Sequence, residues 1–189
     1  MTPVRSHFWI TAPNPAVRPD QPVIRFPGLR TAYARPEVGG LLMGCYEPGS
    51  RSYDPWSFGP GFTMREVARE TDVFLQHVVK LVPWMPFIED AKILGSMAGL
   101  PVYPPDGRYV IGPVRELEGL LVASGDSGGG IAGSGGIGSV IAELITTGTS
   151  SIDLAQFRVD RFGAVDPRSA EFQRGCAAAR SAPHETAAV

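Results

Sequence analysis

Apolar residues in the first half of the chain come in short bursts cut by proline and glycine. Residues 4–11 include Val4, Phe8, Trp9 and Ile10; residues 23–26 and 31–35 form two shorter runs, and a further run occupies 41–46. Runs of this length, rich in β-branched and aromatic residues and bounded by turn formers, predict strands. Together they predict an antiparallel meander with a turn at 36–40. The period then changes. Thr63-x-x-Glu66 is a capping-box signature. Val67, Thr71, Phe74, Val78 and Leu81 follow at spacings of three and four. Such spacing predicts a helix over 64–81 with one buried stripe, ended by Pro83.

The second half reads differently. Residues 88–101 predict a strand bent at Gly95 and Gly99; residues 104–107 predict a turn and 109–111 a short strand. An apolar run from Leu120 to Ala123 then enters a loop crowded with Gly125, Gly128, Gly129, Gly130 and Gly133. A helix is predicted over 134–145 and another around 169–180. The extreme C-terminus is expected to be disordered. Tyr53, Trp56, Phe58 and Phe62 lie in a Gly/Pro-rich loop, where aromatics serve to tie the chain to a core or to wall a pocket.

Composition narrows the partners. Apolar residues make up 43% and charged residues 19% of the chain, with net charge −2, as in an ordinary globular protein. The basic residues do not cluster, which argues against nucleic acid as a partner. The 23 glycines and 18 prolines punctuate apolar runs instead of forming a low-complexity tract, so they mark short strands and tight turns. Cys45 and Cys176 are far apart and read as free thiols, with no metal knuckle. Residues 1–13 hold no signal-peptide core, and no apolar run approaches the roughly 18 residues that span a bilayer. The expected location is therefore cytoplasmic, with no membrane contact. His77, beside the helix stripe without a carboxylate or metal partner, reads as structural.

The glycine loop is the main candidate for chemistry. Strand, glycine turn and helix together bring backbone N–H groups and a helix N-terminus up to an electron-rich ligand. The loop contains a literal G-x-G-x-x-G from Gly128 to Gly133. A dinucleotide-binding unit carries that motif at the start of a βαβ, with further strands behind it. Here it begins at residue 128 of 189, and the sequence around Asp153 does not read as a buried parallel strand. The loop is better read as completing a site built elsewhere.

Several ordered segments then carry a resemblance. Residues 97–113 (MAGLPVYPPDGRYVIGP), residues 119–144, and Asp153-Leu154 with Arg161-Phe162 resemble signatures of the FAD-dependent oxidoreductases of the D-amino-acid oxidase type. The wording is nearest the dimethylglycine/sarcosine dehydrogenase branch, and residues 3–11 and 33–46 resemble strands of its substrate domain. The resemblance implies an α+β chain: an antiparallel or mixed sheet substrate domain with packed helices, plus the C-terminal strand-turn-helix of an FAD-binding domain. It further implies that the N-terminal Rossmann half of such a domain is absent. The implied division is 1–100 for the substrate domain, 101–162 for the FAD-binding segment and 163–189 for a partly disordered tail.

The same resemblance implies FAD as cofactor, contacted by Asp106, Gly107, Ser127, Gly128, Gly129, Gly130, Ile131 and Ala132. It implies a small amine substrate, with Tyr33, Tyr46, Trp56 and Tyr109 as pocket liners, and a separate chain carrying the Rossmann half. The reaction implied is oxidation of a C–N bond of an amine or N-methylated amino acid, with hydride passing to the flavin and no side chain assigned as catalytic. The alternative is a non-catalytic remnant or partner-binding subunit that binds no FAD alone. Two positions depart from the family pattern. Pro101 stands where many relatives place a carboxylate-gripping arginine, and Ala132 where sarcosine oxidases place a lysine. No cysteine lies near 99–103, so no covalent flavin bond is expected there. Without its other half the isolated chain is expected to expose apolar surface and self-associate.

Overall fold

The computed structural model describes residues 1–26, 32–47 and 49–181. In chain order the strands are β1 (Thr2–Pro3), β2 (Ser6–Thr11), β3 (Ile24–Arg25), β4 (Ala32–Glu37) and β5 (Gly40–Cys45), followed by helix α1 (Thr71–Leu81). Then come β6 (Ile93–Gly99), β7 (Val102–Tyr103), β8 (Val110–Pro113), β9 (Leu121–Ser124), α2 (Gly130–Thr147) and α3 (Ala170–Ser181). The fold is α+β, and the strand pairs are antiparallel. Among the described residues no helix is long and apolar enough to cross a membrane.

The chain forms two compact units. The sheet unit holds Arg5–Ser50 and Phe58–Leu100, and Ser181 joins it; the loop unit holds Met1–Val4, Arg51–Ser57 and Pro101–Arg180. The sheet unit is a five-stranded sheet in the order β3-β4-β5-β2-β6. β5 lies at its centre, and all six of its residues are buried. One sheet face, carrying Trp9, Ala34, Met43 and Cys45, packs on Phe74 and Leu81 of α1. The Trp9 and Phe74 ring centroids are 4.9 Å apart. The expected strand at 31–35 begins on a residue outside the described set and continues to Glu37. The expected turn at 36–40 tightens to Val38-Gly39, because Pro36 pairs with Leu41 and Glu37 with Gly40. Both turn residues have positive φ, +47° and +78°, as a two-residue hairpin turn demands.

The helix expected over 64–81 is instead a single 3-10 turn at Met64–Glu66, an extended link, and α1. Glu66 does accept the Thr63 N–H at 2.7 Å, so the capping signature is real but opens only that turn. The link serves another task. Arg5 is buried, and its Nη1 donates to the Ala68 carbonyl at 3.3 Å and to Glu70 Oε1 at 2.8 Å. Its Nε and Nη2 also donate to buried Glu47, at 3.1 and 3.2 Å. His7 Nε2 lies 3.2 Å from the same Ala68 carbonyl, and His7 Nδ1 lies 3.5 Å from Glu47. A carbonyl turned toward a buried cation cannot also serve the helix ladder, and satisfying a buried charge outweighs one helical turn. Burial pushes the Glu47 carboxyl up, but hydrogen bonds from His7 and Arg5 prevail and hold it below the ordinary range.

In the loop unit, β1 pairs with β7 and β8 pairs with β9. Val4, Tyr103 and Cys176 form a small core with Phe172 and Ala179 of α3. The strand expected over 88–101 is shorter, since 86–88 form a 3-10 turn before β6. The helix expected over 134–145 starts four residues earlier, so the end of the glycine loop is its first turn. The disordered tail expected at the C-terminus falls, beyond Ser181, outside the described residues. Neither Cys45 nor Cys176 forms a disulfide, and both are buried.

Candidate functional site

The glycine loop leaves β9 through residues that hold φ in the left-handed region: Gly125 (+67°), Ser127 (+51°) and Gly128 (+83°). Asp126 organises the turn. Its carbonyl accepts the Gly129 N–H at 2.7 Å, and its Oδ1 accepts the Gly128 N–H at 3.3 Å. Ser127 is buried, and its Oγ donates to the Gly125 carbonyl at 3.3 Å. Tyr109, just ahead of β8, donates its hydroxyl to the Gly129 carbonyl at 2.9 Å. A Cβ at Gly129 would stand 2.9 Å from Tyr109 Oη, one at Gly133 2.5 Å from it, and one at Gly130 would overlap Asp126 Oδ2. Glycine at these three positions is therefore required by the loop's own Tyr109 and Asp126.

Gly128, Ile131 and Ala132 present a different surface. All three are exposed, Ile131 to 94%. The first turn of a helix has no intrahelical acceptors for its N–H groups. In α2 the Gly133 N–H reaches the Gly129 carbonyl at 2.9 Å. The backbone at 130–132 is thus the open first turn of an 18-residue helix, with the Asp126 carboxylate beside it. Elsewhere in α2 Val140 is buried, Gly133, Ile137, Ile141, Glu143 and Leu144 are half-buried, and the remaining residues are exposed.

Asp106 and Gly107 lie in the turn closed by the Gly107 N–H on the Pro104 carbonyl at 3.0 Å, with Gly107 at φ +67°. Arg161 grips the Asp106 carboxylate with two parallel bonds, Nε to Oδ2 and Nη2 to Oδ1, both 2.9 Å. The same guanidinium also donates to the carbonyls of Arg108, Phe157 and Arg158. Partial burial raises the Asp106 pKa, but the Arg161 bonds and the Arg108 backbone N–H outweigh it and leave the carboxyl below its ordinary value. Asp106 therefore clamps this turn to residues 157–161. Arg161 falls within one of the resembling segments, but its partner is evident only in three dimensions.

The four expected pocket liners are divided between the two units. Tyr33 and Tyr46 lie together in the sheet unit, ring centroids 6.0 Å apart, on the face opposite α1. Trp56 and Tyr109 belong to the loop unit. Trp56 carries the Arg168 guanidinium 4.6 Å above its ring, and Tyr109 serves the glycine loop. Sequence reasoning missed two members of the open sheet face. The Phe8 ring is 6.2 Å from that of Tyr33, and Arg25 Nη2 donates to Tyr46 Oη at 3.2 Å. The signal was available: Arg25 is a charge between Ile24 and Phe26 in a strand pattern, and alternation sends it away from the core.

Residues 1–144 match the family described as FAD dependent oxidoreductase. The chain is 28% identical over 172 residues to the mitochondrial dimethylglycine dehydrogenase of Rattus norvegicus, covering 86% of this chain and 20% of that protein. It is 30% identical over 130 residues to the 4-methylaminobutanoate oxidase (formaldehyde-forming) of Paenarthrobacter nicotinovorans, covering 69% and 16%. Its fold is similar to that of the L-proline dehydrogenase from P. horikoshii, with TM-score 0.66 and 22% identity over 85% of this chain and 40% of that one. The chain thus spans about a fifth of the length of these two relatives or less.

Proposed function

Because the chain belongs to the FAD-dependent oxidoreductase family, we propose that it supplies the substrate-binding sheet and the flavin-facing loop of an enzyme that oxidises a C–N bond of an amine or N-methylated amino acid. The family's cofactor is FAD. In this reading a separate chain carries the N-terminal Rossmann half. The observation that carries the proposal is the open first turn of α2. Its N–H groups, at the positive end of a long helix, suit the electron-rich edge of an isoalloxazine ring.

The residues present fit such a ring at Gly128, Ile131 and Ala132, which are exposed. Ser127, Gly129 and Gly130 act one step behind them, holding the turn through Gly125, Tyr109 and Asp126. Asp106 and Gly107 stiffen the neighbouring turn through Arg161. When bound, the flavin supplies the acceptor for hydride from the carbon beside the amine nitrogen. The chain's part is to fix backbone dipoles near that acceptor and to hold the substrate, so no side chain is assigned as a base. The largely exposed α2 supports a covering partner, because an apolar helix left in water is costly.

The test is co-expression with a chain of typical domain size that opens on a G-x-G-x-x-G, followed by a visible spectrum of the purified complex. A yellow complex with flavin absorbance, reduced by N,N-dimethylglycine or a related amine, is the expected result. A colourless chain that ignores every such partner refutes the proposal and leaves a non-catalytic, partner-binding subunit.

A further inference from the structure

We infer that His7 is a proton-operated latch: with both ring nitrogens protonated it holds residues 67–70 extended, and on losing one proton it lets them join α1 as helix.

The surroundings of a buried ring carry this. His7 is 1% exposed and stands opposite Cys45 of β5, on the sheet face that packs on α1. Its Nε2 lies 3.2 Å from the Ala68 carbonyl, and its Nδ1 lies 3.5 Å from Glu47 Oε2. A carbonyl and an ionised carboxylate can only accept, so each needs a hydrogen from the nitrogen it faces. A neutral imidazole has one ring hydrogen and can serve one of them; the imidazolium serves both.

Charge points the same way. Arg5 bonds both Glu47 and Glu70, so one cation faces two carboxylates. The Arg5 hydrogen bonds hold the Glu70 carboxyl below its ordinary range. A protonated His7 brings the cluster to neutrality, whereas a neutral one leaves a buried carboxylate half-compensated. Among the described residues the other ionisable neighbours bring it no second cation. Cys45 lies opposite on β5, His77 of α1 turns its Nδ1 to the Val73 carbonyl at 2.6 Å, and Arg69 reaches the Ser96 carbonyl at 3.4 Å.

Removing a proton forces a choice. The one remaining ring hydrogen goes to the stronger acceptor, the carboxylate. The bare Nε2 then meets the Ala68 carbonyl lone pair to lone pair, and that carbonyl keeps the 3.3 Å bond from Arg5 Nη1. The local sequence pulls the other way. The Thr63 N–H is already bonded to Glu66, and Val67, Thr71, Phe74, Val78 and Leu81 keep helical spacing straight across the link. In a helix the Ala68 carbonyl accepts from the Asp72 N–H. Histidine changes charge near neutrality, so the link is extended on the acid side and helical on the alkaline side.

The experiment follows the full chain at about pH 5 and about pH 8. Nitrogen NMR reads the protons on the His7 ring, and hydrogen exchange, corrected for intrinsic rates, reads the amides of residues 68–74. At the lower pH both ring nitrogens are expected to be protonated and these amides open. At the higher pH one nitrogen is bare, and the amides gain roughly tenfold protection or more as each acquires a helical acceptor. Amides of β5 should keep their protection throughout. His7→Gln, which carries no charge, should hold the link helical at both pH values. Glu70→Gln, at an exposed position, removes a negative charge that favours the imidazolium and should move the change to lower pH. A singly protonated ring beside an extended link at about pH 5, protection at 68–74 that does not vary or that varies together with β5, or a Glu70→Gln change at the wild-type pH overturns the inference. A folded His7→Gln with an extended link overturns it too; should that variant not fold, the wild-type readouts and Glu70→Gln decide.

Discussion

Three glycines in the middle of α2 make the sharpest test of how this chain uses its longest helix. Gly135, Gly136 and Gly138 are exposed, and a Cβ built on any of them meets no atom within 4 Å. Glycine in an exposed helix interior costs about 0.8–1 kcal/mol relative to alanine, through backbone entropy. The three sites share no partner, so their effects should add. The triple Gly→Ala variant of the isolated chain should gain roughly 2–3 kcal/mol. For a chain of this size that corresponds to a rise in Tm of roughly 5–10 °C. Gly133→Ala, one turn away, should have the opposite sign. Its Cβ would stand 2.5 Å from Tyr109 Oη, and moving the tyrosine gives up its bond to the Gly129 carbonyl. The net loss should be about 1 kcal/mol. Scanning calorimetry with far-UV circular dichroism measures both. A triple variant that melts lower than wild type refutes the reasoning, because it means that something already packs on α2 in solution. Within the proposed flavin complex the same three methyl groups should hinder assembly.

Further outcomes follow from the same geometry. The folded Asp106 carboxyl titrates below its unfolded value, so its clamp on Arg161 stabilises the protein above about pH 4 and is lost as pH falls through the folded value. Asp106→Asn should therefore be clearly less stable than wild type in urea at about pH 6, with the gap narrowing as the pH is lowered below about 4; a gap that does not narrow would sink the idea. Arg5→Met strands Glu47 in the core without its guanidinium and should cost about 3–5 kcal/mol in denaturant melts; a loss below about 1 kcal/mol would show that the network is not holding residues 67–70. Val38 is 87% exposed and sits at φ +47°, where a β-branched residue is strained. Val38→Asn should raise stability by about 1 kcal/mol, and an unchanged Tm would mean that the turn relaxes in solution.

Local chemistry was enough to read the strands at the start of the chain, the hairpin around Val38-Gly39 and the helix after the glycine loop, because each depends on neighbours a few residues apart. Helix 64–81 could not be read that way. Its periodicity was genuine, but Arg5, more than sixty residues earlier, takes the Ala68 carbonyl and Glu70 for itself. The glycines show the same division. The loop's strand-turn-helix character was legible from composition alone. Why each glycine is there was not: Gly129, Gly130 and Gly133 make room for Tyr109 and Asp126, whereas Gly128 takes a left-handed turn.

The sequence by itself determined the family, the α+β character and the position of the glycine loop, because those rest on ordered motifs and on periods read over ten or twenty residues. Only the tertiary structure decided which residues work together. It joined Asp106 to Arg161 and Arg25 to Tyr46, and it tied the Tyr109 hydroxyl to the glycine loop. Each pair is made by ladder register or by a turn returning over a strand, and no pattern of hydrophobic and polar positions records which side chain a distant strand will face.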